Sequence, residues 1–140
     1  MTYMAIVLVE YFKLWPNLTR LPKMCLDKLV DADITETTGY KVFDLEDGVL
    51  STAMRGFVVE IGKEYEAHQE TVWCYHPAYV YPSGFHILLK LEDAKNYMED
   101  LIDNERCVIR KVSFRNILAI GPDDDKLCVV AQYMTVLDET

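Results

Sequence analysis

With 140 residues, 14 basic against 23 acidic side chains and a net charge of −9, the chain is sized for one domain that buries roughly two thirds of its unfolded surface. So acidic a balance excludes a direct nucleic-acid reader, which needs clustered Lys and Arg to neutralise phosphates. A hydrophobic fraction of 51% excludes a chain that is disordered throughout.

In chain order, residues 1–38 read as an N-terminal helical extension and 39–140 as a β-rich body, together one domain over 1–140. Met4–Val9 is rich in β-branched residues, which favours a strand, although Ile6, Val9, Phe12 and Leu14 partly fit a helix. The spacing of Leu21, Met24, Cys25, Leu29 and Val30, with Pro22 in the first turn, predicts a helix over 21–30. The apolar run Ala5–Val9 is far too short to span a membrane, and nothing resembles a signal-peptide cleavage region. The four cysteines are scattered, with no Cys-x-x-Cys pair and no disulfide framework. A soluble protein of a reducing cytoplasm is expected, with no membrane contact and no bound cofactor.

The body opens on a strand at Tyr40–Phe43, a turn at Asp47–Gly48 and a return strand over Val49–Met54. Strands follow at Phe57–Ile61, Glu64–Ala67 and Thr71–Tyr75, and His76–Ser83 reads as a loop rich in Tyr and Pro. The best-specified stretch is Pro82–Ile102: a turn, a buried strand from Phe85, then a helix over 91–102. Leu91, Ala94, Met98 and Leu101 make the apolar stripe of that helix, and Glu92 and Asp93 complement its dipole. Beyond it come strands at Cys107–Phe114 and Ile117–Ile120, a tight turn at Gly121–Asp125 and a long strand at Leu127–Leu137. Short turns between strands, with one inserted helix, predict an α+β fold with a curved, mainly antiparallel sheet.

One ordered set of segments resembles a family of small uncharacterised domains common in bacteriophages and other viruses. The segments are Gly39–Phe43, Asp47–Ser51, Ile61-Gly-Lys-Glu-Tyr65, Ser83-Gly-Phe-His86, Leu91–Tyr97 and Val108–Gly121. The family pattern runs Tyr-Lys-Val, Val-Gly-Lys-x-Tyr, Gly-Phe-His and Leu-x-x-Ala, and the resemblance covers about residues 39–137. It implies a viral or phage accessory protein in the host cytoplasm and implies no reaction.

Candidates for chemistry are few. His68, Cys74, His76 and His86 are metal-ligand types, but their spacing fits no zinc pattern, and no metal or catalytic residue is assigned. Asp123–Asp125 lacks the spacing of a calcium loop. An enzyme alternative, a small NAD-using ADP-ribosyltransferase-like protein built on Tyr40 and Ser51-Thr52, or a ligand-binding domain around His86, rests on analogy alone. The stronger feature is aromatic. Trp73, Tyr75, His76, Tyr79 and Tyr81 crowd the loop, with His86 just beyond, and Tyr and Trp give large contact area at low entropic cost. These six residues are the expected binding surface. The expected partner is a host or viral protein, and a basic one, whose nucleic-acid-binding surface the acidic body occupies.

Overall fold

The computed structural model describes residues 26–53, 56–67, 71–73, 80–101 and 104–138. Nine strands and one helix follow one another: β1 (Thr38–Glu46), β2 (Val49–Thr52), β3 (Val58–Val59), β4 (Glu64–Glu66), β5 (Thr71–Trp73), β6 (Val80–Pro82), β7 (Phe85–Leu88), α1 (Leu91–Glu99), β8 (Cys107–Asp123) and β9 (Lys126–Val136). The fold is α+β, mostly antiparallel sheet with a single α-helix and a short 3-10 turn (Asn104–Arg106) among the described residues.

The curvature expected of the sheet is carried to closure. β1 pairs with β8, β8 with β9, β9 with β7, and β7 returns to β1 through Tyr40 and Leu88. On the inward face of this ring Phe43, Ile87, Val112, Val129, Ala131 and Val136 are fully buried. A ring this narrow is filled by its own side chains. Alternate residues of the same strands, Val42, Leu88, Ile109, Cys128 and Val130, point outward and receive Ala94 and Tyr97 of α1. β2 and β3 extend the ring beyond β1, and β4 extends it along β9.

Local chemistry explains the turns. Asp47 and Gly48 take φ of 51° and 78°, the two positive values that a two-residue hairpin needs to match the twist of its strands. In the Asp124–Asp125 turn between β8 and β9 only the first residue takes a positive φ, 57°. The two strands expected at 107–114 and 117–120 are one 17-residue strand. Asn116 at φ 59° and a register shift between Ile117 and Ala119 place a bulge where the apolar alternation lapses. The turn expected over 121–125 shrinks accordingly, since Gly121–Asp123 is still strand.

Two helical expectations change. α1 stops at Glu99 rather than 102, with the Asp100 N–H returning to Asn96 and Tyr97. Residues 1–25, which carry most of the expected N-terminal cap, lie outside the described residues, and 26–30 are not helical. They run beside β8 instead: the Asp27 N–H donates to the Pro122 carbonyl at 2.7 Å and the Val30 N–H to the Ile120 carbonyl at 2.9 Å. Gly121 sits under this crossing, where a Cβ would collide with the Lys28 carbonyl oxygen.

Candidate functional site

β5 and β6, which bracket the aromatic segment in sequence, pair antiparallel. Tyr75, His76 and Tyr79 lie outside the described residues, as do His68 and Cys74. Trp73 is on β5, paired with Val80. Tyr81, read from sequence as a contact residue, belongs to the core at 3% exposure. Its hydroxyl accepts the Leu26 N–H at 3.1 Å and lies 3.0 Å from His86 Nε2. The phenol is therefore engaged in holding residue 26 against β7, and its ring is turned from solvent. Pro82 alternates with it on the exposed side.

His86 is half-buried on β7, which lies between β1 and β9 and so is no sheet edge. Its ring meets Tyr81 edge-on at 5.9 Å between centroids. Its carbonyl accepts the Lys41 ammonium at 2.8 Å. β1 and β7 share one residue pair, and the buried Lys41 side chain supplies a link where their ladder lapses.

Around α1 lie further buried polar groups, Tyr97, Cys128 and Asp123. Burial, with a smaller push from Asp123, raises the Cys128 thiol to about 12 despite the opposing Lys41 charge. It stays protonated and is no nucleophile near neutral pH. Burial likewise pushes the Tyr97 phenol well above its usual range, and its hydroxyl has no hydrogen-bond partner among the described residues. Carboxylate oxygens of Asp27, Asp123 and Asp124 come within 4.8 Å of one another. Asp27 is already in use there, accepting the Asp124 N–H at 2.6 Å and so bracing the β8–β9 turn. Of the residues in the enzyme reading, Tyr40 packs toward α1, Ser51 stands opposite Asp44 on the outward face, and Thr52 pairs with inward-facing Phe43. The Thr52 hydroxyl is occupied by the Phe57 N–H at 3.0 Å.

The outward face of β1–β2–β3 is different in kind, and sequence reading passed over it. Val49 and Val58 are 48% and 56% exposed there, whereas Phe57 faces the other way against Tyr65 and Phe85. Asp44 stands opposite Ser51 and Glu46 opposite Val49, while Asp47 and Glu60 are exposed at the margins. The signal was present in Val58-Val59: adjacent strand residues face opposite sides, so one of the two has to be offered to solvent. Across the molecule Arg115 reaches over the Tyr133 ring, 3.7 Å from its centroid, to clamp Glu64 at 2.7 and 3.1 Å. That hydrogen-bonded pairing holds the Glu64 carboxyl below its usual range.

No family model, no curated protein and no solved structure matches the chain. Among the described residues no helix is long and apolar enough to cross a membrane.

Proposed function

We propose that the chain is an accessory protein of viral or phage type that works in the host cytoplasm by binding a basic host or viral protein. The observation that carries this reading is the negative balance of the chain, −9, on a scaffold whose inward face is filled and whose half-buried polar side chains hold one another. Surface charge is what is left to act, and it steers and selects partners of opposite sign. A nucleic-acid-binding partner fits, since its cationic surface accepts carboxylates where it otherwise accepts phosphates. The resemblance of residues 39–137 to phage domains supports the viral setting.

The test is affinity capture on the immobilised chain followed by a salt series on each captured protein. Basic proteins are expected, with binding that falls steeply between about 0.05 and 0.5 M salt as exposed charges are screened. Affinity that holds constant across the series overturns the electrostatic reading.

A further inference from the structure

The open side of β3 has no role in that account. Residues pair across β2 and β3 as Ser51 with Val58 and Leu50 with Val59. The Thr52 N–H donates to the Phe57 carbonyl at 2.9 Å, which sets the alternation of the ladder. In an antiparallel pair, bonded and non-bonded positions alternate, so Leu50 and Val59 bond each other and Ser51 and Val58 do not. The N–H and C=O of Val58 therefore point away from β2, and among the described residues no strand pairs on that side. Glu60, the next residue to face the same way, is satisfied already. Its N–H donates to the Tyr65 hydroxyl at 2.8 Å, and its carbonyl accepts the Lys63 N–H at 3.4 Å.

Two exposed valines, Val49 and Val58, share the outward face here, while Phe57 turns to the other face and packs on Tyr65 and Phe85. An apolar patch beside an unpaired edge is a template for another strand. Charge decides which strand. Asp47 and Glu60 flank the patch with no cation partner among the described residues, and Glu46 meets only an exposed Arg106 at 3.7 Å. A second copy would bring these carboxylates against themselves. We propose that the edge takes a basic, extended protein segment as an added strand, its backbone pairing with Val58 and its apolar side chains meeting Val49 and Val58. This rests on the acidic-surface reading above and gives it a place and a mode.

The test titrates the isotope-labelled full chain at low salt with two short synthetic peptides of equal charge, one alternating Lys with Val and the other Lys with Pro. The Lys–Val peptide is expected to bind at least about tenfold tighter, the worth of one or two added hydrogen bonds, and to shift and protect the Val58 amide. Val58→Pro, which deletes that N–H, is expected to bring binding down to the Lys–Pro level. Val58→Lys, at a site already open to solvent, leaves folding intact and sets a cation against the peptide, with the same loss expected. Equal binding of both peptides with an unmoved Val58 amide overturns the edge and leaves the acidic-surface reading standing. Binding of neither peptide overturns both. Self-association that Val58→Lys abolishes assigns the edge to a second copy and also overturns the proposal.

Discussion

Tyr81 and Tyr97 sit in one cluster, and their hydroxyls face opposite situations. Tyr81 receives the Leu26 N–H and meets His86, so Tyr81→Phe leaves a buried donor without its acceptor. A loss of about 1–3 kcal/mol in urea unfolding is expected. Tyr97 carries a buried hydroxyl with no partner among the described residues, so Tyr97→Phe is expected to leave stability unchanged or raise it, by up to about 1–3 kcal/mol. A Tyr97 variant that destabilises as much as the Tyr81 one would mean its oxygen is satisfied in solution. The same residue and Cys128 set the alkaline limit. Both hold their protons more tightly folded than unfolded. Their contribution is thus complete below the ordinary thiol and phenol values, about 8.5 and 10, and drains as pH climbs through and above them. The urea midpoint should fall between pH of about 8 and 11, and more gently in Tyr97→Phe.

Among the elements, α1 is the least well finished. Lys90 occupies its N-cap in an extended conformation and makes no side-chain cap bond. Because Lys90 is exposed, Lys90→Ser has room to cap the first turn, with a gain of about 1 kcal/mol expected in thermal unfolding; no gain would mean the first turn is already held by its packing. Elements such as this were legible in sequence because their determinants are local. The apolar spacing of Leu91, Ala94 and Met98 specifies the helix, and Asp47-Gly48 specifies the hairpin, within a few residues of chain. The non-helical path of 26–30 was not legible. Leu29 and Val30 suit a helix by spacing, but the Asp27 and Val30 N–H groups donate to Pro122 and Ile120, at least ninety residues away. Tyr81 misled for a related reason. Its neighbours Pro82 and Tyr79 gave it the look of a surface loop, and only the strand it joins turns it inward. Of the candidate site, the acidic balance was legible, and the open edge was not, since which strand ends a sheet is a property of its partners.

At the scale of the whole molecule, closure orders the chain in time. β8 and β9 are neighbours in sequence and pair across a tight turn, but β1 meets β8 through pairs that run from Asp44 with Cys107 to Thr38 with Ser113. Such distant contacts are slow to form, because the loop must be closed before pairing rewards it. β9 is the extreme case, flanked by β8 on one side and by β7 and β4 on the other. As the protein is synthesised, β1 to β4 emerge long before the strand that completes their core. For that interval each of them is an exposed edge, open to the wrong neighbour. The nascent chain is at its most vulnerable until Val136 has left the ribosome, and the acidity of the body then has a second use, since it keeps unfinished copies apart.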